Sequence, residues 1–531
     1  MQAPNFFSIN FDFFSRSNTG CCFSVIIICM MKKQILFYTT LLLLITAFTL
    51  SAAYEIDYDL WARLIAGMGV IDGGHVLKQD FLSYTPVHTW YDHEWGSGVI
   101  FYAFLKFFGS DSLIYLQIGL SFLIFFAVSK VVKLRTGITD YNILIFFLVS
   151  MAVMNNLNHP VRCHMFSFLF FTIFIYILEK VRRKACNKLL LLLPLITIVW
   201  NNLHGGVVAG LGLIAMYIAG EILNRKPYRQ YVIALCVSAL SLIINPWGID
   251  YIKFLLHATT MPRPSITEWD GLFSRQHIHR MYKFKLFLFL LLVFEVFNTV
   301  KAFKNFKPFE LYHKIDKVKL IVLSATLLLY VQHIKMIPFF CISALCYCYE
   351  DISDIFDKIN QKAVYIVIIL ITCLSLANKN FELPLNFKIY PVTEVEFIRA
   401  NDIKGNILVD FGLGSYTSYK LYPHNKIYMD GRYEEVYPDE LIVLLNKFYG
   451  FAAPAWDDIL KKYPPDIVLI NQTSPIYVLM KKYKGYKHIF TGSAFGVFIR
   501  EELYTGNYNI PILDKKYYRR TLFNTDIKFS R

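Results

Sequence analysis

Charge is scarce in this chain. Only 18% of its 531 residues are Asp, Glu, Lys or Arg, while 56% are hydrophobic and the mean hydropathy is +0.43. So little charge excludes an ordinary soluble enzyme, and the apolar residues gather into runs near the length that crosses a bilayer. The sequence therefore reads as an α-helical polytopic membrane protein. Cysteine is absent from 54–111 and from everything after Cys373. Those segments contain no disulfide and depend on packing, and the cysteines in or beside apolar runs read as small apolar residues. Acidic residues are outnumbered, 39 against 54 basic, for a net charge of +15. The basic residues cluster in short loops between apolar runs, which is a topology signal, and no nucleic-acid partner is expected.

The first span is "QILFYTTLLLLITAFTLSAA" (34–53). Lys32 and Lys33 before it put its amino end inside and its carboxyl end outside. Residues 1–33 read as an N-terminal extension, with "MKKQILFYTT" as a natural start. The small residues of "LSAA" suggest a cleaved signal peptide as a rival, but the many later spans favour a retained anchor. Further apolar runs lie near 112–132, 140–154, 165–179, 188–200, 206–222, 231–245, 284–298, 320–334, 337–349 and 363–377. Counted from an inside amino terminus, the basic loops all fall inside, giving about eleven spans over 34–377 in the cell (inner) membrane. The other loops, including 54–111 and everything after about 378, then face out and hold nearly all the unusual polar residues.

After residue 378 the composition turns water-soluble. Strands are expected at 406–411, 426–431, 466–470, 488–492 and 495–500, and helices near 414–421, 438–449, 455–463 and 475–483. Residues 378–531 thus form an extracytoplasmic α/β domain of ordinary size. "GLGSYTSYKLYP" (412–423) follows a strand and opens a helix, yet its glycine spacing fits neither the dinucleotide fingerprint nor a P-loop. In "MDGRYEEVYP" (429–438), exposed aromatic and acidic residues could bind the acceptor; the alternative is that Asp430, Arg432 and Glu434 staple a turn.

Chemistry concentrates in the outward loops. In "YEIDYDLWARLIAGMGVIDGGHV" (54–76), Leu60, Trp61, Leu64, Ile65, Met68 and Ile71 form one face of a helix suited to lying along the membrane surface. Asp57 and Asp59 precede it. The structural alternative is that Asp57 caps the helix and Asp59 pairs with Arg63 one turn on; the functional one is a base or a metal ligand. "YDHEW" (91–95) adds Asp92, His93 and Glu94 at the mouth of an apolar stretch. Asp92 can cap that helix, whereas burying His93 and Glu94 without partners would be costly. Both have the right types for proton transfer or for a divalent cation, but the spacing is not diagnostic of a metal. "HPVRCH" (159–164) offers His159, Arg162 and His164; "WNNLHGG" (200–206) offers Asn201, Asn202 and His204 beside two glycines that permit close approach; "QHIK" (332–335) offers His333 and Lys335. Together these are donors suited to a lipid-linked phosphate.

The run from "DYDLWARLIAGMGVIDGGHV" to "WYDHEW", followed in order by "HPVRCHMFSF", "WNNLHGG", "INPWG", "SITEWDG" and "GNILVDFGLGSYTSYKLYP…IYMDGRYEEVY", resembles bacterial multi-spanning proteins of the GT-C glycosyltransferase type. The resemblance implies a GT-C-like fold and transfer of a sugar from a polyprenyl-phosphate donor to an envelope lipid, glycan or protein on the outer face. It points to an acidic catalytic residue in the first external loop, matching Asp57 with Asp59 or Glu94 as rivals, assisted by His93. Arg162, His204, Lys335 and Asn202 would then bind the substrate. No cofactor is certain, and a divalent cation is possible. The alternative class is a lipid-linked glycan transporter or a non-catalytic envelope-assembly protein. Polar groups collected at one face and no apparent repeat speak for the enzyme.

Overall fold

The computed structural model describes residues 19–52, 55–137, 143–154, 161–183, 186–261, 263, 266–279, 281–305, 315–356, 360–377, 379, 381–383, 385–450 and 454–529. Residues 1–18 of the extension 1–33 that was read from sequence, and His159, lie outside them. The amino-terminal part is helical throughout: α1 (Thr19–Ala52), α2 (Leu60–Ile71), α3 (Trp95–Phe108), α4 (Ser112–Thr136), α5 (Ile143–Met154), α6 (His164–Arg182), α7 (Leu192–Leu203), α8 (Val207–Leu223), α9 (Arg229–Ser241), α10 (Asp250–Thr260), α11 (Tyr282–Asn305), α12 (Lys317–Gln332), α13 (Ile337–Phe356) and α14 (Gln361–Leu376). Every apolar run read as a span forms one of these helices. Among the described residues three are long and apolar enough to cross a membrane: Met31–Ser51 within α1, α4 and α6.

A polar layer closes the far end of this bundle, against the expectation that polar groups collect at one face. Glu179, fully buried on α6, accepts from Arg135 of α4 at 2.9 Å and from Tyr217 of α8 at 2.9 Å. Arg182 reaches Glu221 at 2.5 Å and Asp316 at 2.7 Å. Each charge has an opposite partner, which is the condition for burying it at all. From His164 to Arg182 the helix rises roughly 27 Å, close to the thickness of a hydrocarbon core.

The carboxyl-terminal part is an α/β unit: α15 (Val392–Ala400), β1 (Gly405–Leu408), α16 (Gly414–Leu421), β2 (Asn425–Ile427), α17 (Tyr433–Val436), α18 (Asp439–Tyr449), α19 (Asp458–Lys462), β3 (Ile467–Asn471), α20 (Pro475–Met480), β4 (Tyr486–Thr491), β5 (Phe495–Arg500) and α21 (Lys515–Arg520). The sheet order is β2-β1-β3-β5-β4, with β1 parallel to β2 and β3, and β5 antiparallel to β3 and β4. Isoleucine and valine on β3 and β5 are buried on both faces, as expected of central strands.

This unit is fused to the first loop. Ser83 bridges Ile427 in parallel, with Tyr84 N–H donating to Ile427 and Ile427 N–H to Leu82, so the loop extends the sheet beyond β2. His88 and Tyr91 donate to the carbonyls of Val436 and Glu435. Helix α2 lies between α3 and α16, with every residue from Leu60 to Gly69 buried. It is therefore a core helix, and the membrane-surface position expected from its apolar face is replaced by protein on all sides. Trp61 fits among Tyr416, Tyr419 and Phe523 at ring distances of 5.0–5.5 Å. On the other side a Cβ at Gly67 would stand 2.2 Å from the Gly98 carbonyl oxygen, so α2 and α3 touch backbone to backbone.

Candidate functional site

A cavity of about 570 Å³ opens where loop 54–111, the start of α6, the 263–281 segment and the α/β unit meet. Its wall includes Asp57, Asp59, His93, Glu94, Arg162 and Lys335 among the residues singled out from sequence. Asn202 and His204 are not in that wall.

Arg162 organises one half. Its guanidinium lies 3.1 Å from Asp57, 3.5 Å from Asp59 and 3.0 Å from Glu268, and Lys335 Nζ lies 3.0 Å from the other Glu268 oxygen. Asp57 is buried, its side chain 6% exposed, and accepts the Asp59 N–H at 3.0 Å. Asp59 is 44% exposed toward the cavity. Neither structural alternative holds: Asp57 bonds a turn, not the helix, and Asp59 turns to Arg162, not Arg63. Burial and then the Asp57 charge push the Asp59 carboxyl up to about 7, against the pull of Arg162. Glu268 is also disfavoured by burial, but Arg162 and Lys335 hold it well below the usual carboxylate range.

Arg63 organises the other half. It ion-pairs with Asp92, with Glu94 at 3.3 Å and with Glu435 at 3.0 Å. Asp92 also accepts the Glu94 N–H at 2.8 Å, fixing the turn into α3. His93 Nδ1 lies 2.8 Å from Glu435, and Trp90 Nε1 donates to Glu435 at 2.9 Å. Burial works against a charge on His93, but Glu435 and Glu94 outweigh it and hold the imidazolium to about 9. Burial likewise opposes the Glu435 charge, and Arg63 and His93 bring it down to about 2. The Glu94 carboxyl is lowered, with Arg63 and His93 overcoming burial.

His204 backs this half without charge. Its Nδ1 takes the Gly206 N–H at 3.0 Å and the Ser167 hydroxyl at 2.6 Å, while Trp200 Nε1 donates to Ser167 at 2.7 Å. The proton therefore sits on Nε2, 3.3 Å from Glu94. Burial drives His204 down to about 3, so it supplies no cation to a phosphate, contrary to the expectation from sequence. Asn202 is also structural: it donates to Ile244 at 2.9 Å and accepts from Trp95 at 3.1 Å, tying α3 to α7. The glycines beside it do permit close approach, since a Cβ at Gly205 would meet the His93 ring at 2.8 Å.

His93, Glu94 and Glu435 place ligand atoms within 4.8 Å of one another and could hold a divalent cation. The donor set fits once His93 sheds its proton, because Arg63 occupies one oxygen of each glutamate and leaves the other facing the imidazole.

Sequence reasoning missed Glu435, Glu268 and the role of Arg63. Glu435 looks like one of two surface glutamates in "RYEEVY", and Glu268 was visible only as part of "SITEWDG". Asp430 and Arg432 are fully buried, so the acidic Asp430 is not exposed to an acceptor, and the two staple a turn: Arg432 pairs with Asp430 at 2.9 Å, reaches Asp80 at 2.5 Å and stacks over Trp90. Glu434 instead pairs with Arg263 at 3.1 Å at the cavity wall. Gly412 and Phe411 line the cavity, but α16 behind them is buried at all eight positions and offers no phosphate cradle. No family model matches the chain, and no curated protein matches it.

Proposed function

We propose that this protein is a membrane glycosyltransferase of the GT-C type, with about eleven spans in the cell membrane and the α/β unit outside the cytoplasm. It would move a sugar from a polyprenyl-phosphate-linked donor to an envelope acceptor. The observation that carries the reading is the Asp57–Asp59 pair around Arg162 at the cavity wall. A carboxyl that opens to the cavity and is raised by its surroundings and its Asp57 neighbour is matched to general-base work. Asp59 takes the proton from the acceptor hydroxyl as its oxygen bonds the anomeric carbon. The bond from that carbon to the donor phosphate breaks, and the phosphate leaves with the electron pair. Asp57 is the positioning partner that raises Asp59 and fixes Arg162. Arg162 and Lys335, which share Glu268 in this structure, are the cations available to the departing phosphate.

The test is mass spectrometry of envelope glycolipids and glycoproteins from a deletion strain and its parent. A glycan missing from the deletion strain, restored by the intact gene and not by Asp59→Asn, is the expected result. An unchanged glycan profile in the deletion strain would sink the reading.

A further inference from the structure

The last part of the chain carries a surface that the cavity does not use. Ile510 is 72% and Ile512 100% exposed, and exposed Lys516, Arg519 and Arg520 follow on α21. Exposed isoleucines beside a basic helix are out of place on a surface that meets only water. Their position gives the reason. Arg519 pairs with Glu382 at 3.1 Å, and the adjacent Phe381 stacks on Tyr115 with ring centres 5.8 Å apart. Tyr115 is in the first turn of α4, one of the helices long and apolar enough to cross a membrane. Phe107 and Phe108, 67% and 73% exposed, end α3 just before it. Tyr115 is 55% exposed, and an exposed tyrosine at the end of such a helix marks the level where bilayer meets water. Two side-chain contacts thus tie α21 to that level.

We infer that residues 510–520 rest on the bilayer surface, with Ile510 and Ile512 entering the headgroup–acyl boundary and Lys516 and Arg520 facing anionic headgroups. The segment is a second anchor for the α/β unit, independent of what the cavity does. Cations beside an apolar wedge select an anionic lipid surface, because each headgroup charge adds to the apolar attraction.

Trypsin cleavage after Lys516 and Arg520 tests this on the full-length protein in lipid nanodiscs. In discs of phosphatidylcholine with phosphatidylglycerol, cleavage is expected to be roughly tenfold slower or more than in phosphatidylcholine alone. The exposed double replacement Ile510→Ser with Ile512→Ser should restore fast cleavage in the anionic discs. Equal rates in both kinds of disc would overturn the proposal. So would protection that survives the serine replacements, since it would come from a protein contact.

Discussion

Asp59 stands beside a second carboxylate, and the proximity sets its pH behaviour. As a base it must be unprotonated, so transfer should fall about tenfold per pH unit below pH ~7. Asp59→Asn should cost roughly a hundredfold to ten-thousandfold in rate above pH ~7, the gap narrowing at lower pH as the native carboxyl protonates, measured with reconstituted protein once the donor is known. Asp57→Asn removes the charge that raises Asp59, and its acidic limb should move to lower pH; an unmoved limb would remove Asp57 from the coupling. His93 gives a separate signature. Its pKa rises from an ordinary 6.5 to about 9 on folding, so its contribution to stability is complete below pH ~6.5 and is lost as the pH climbs through about 9. The thermal midpoint should drop across that window, and His93→Gln should flatten the drop. The acidic loop residues were legible as chemistry because ionisable groups are rare in this chain. Their division of labour was not, since it depends on Arg162 reaching both aspartates and Glu268 from the start of a distant helix.

Helices α2 and α3 meet where neither has a side chain to spare. Gly67→Ala would drive a methyl into the Gly98 carbonyl, and overpacking of this kind costs about 1–3 kcal/mol. Because α3 begins next to Glu94 and α2 carries Arg63, the same change should reduce activity more than a volume change elsewhere in the bundle. Arg63→Met is the harsher test: Asp92, Glu94 and Glu435 would lose their shared cation, a loss of about 3–5 kcal/mol for a broken buried pair. Folded yield and thermal midpoint of the purified variants measure both. The five strands and four of the helices of the α/β unit could be read within a few residues, because each is a short run between turn residues; α15, α17 and α21 were not read. Helix α2 was misplaced for a physical reason: its Ala and Gly positions look polar enough to face headgroups, yet they are the small residues that let another helix approach.

The loop and the α/β unit wall one cavity, so they occupy the same side of the bilayer. A phosphatase joined after residue 531 should be active and a fluorescent protein at the same point dark; the reverse would invert the topology derived from the basic loops. The number of apolar runs was plain from the sequence, but the fusion of loop and domain was not, because hydrogen bonds between 82–91 and 427–436 leave no local periodicity. A chain ending at residue 377 should accumulate poorly, having lost the partners of Trp61, Arg63 and His93. That long-range pairing also has a consequence in time. Trp90 and Glu435 are separated by 345 residues, which a ribosome adding roughly 5–20 residues per second needs some tens of seconds to make. Through that interval the loop lacks its Glu435 partner, and the cavity cannot be walled until the α/β unit has been made.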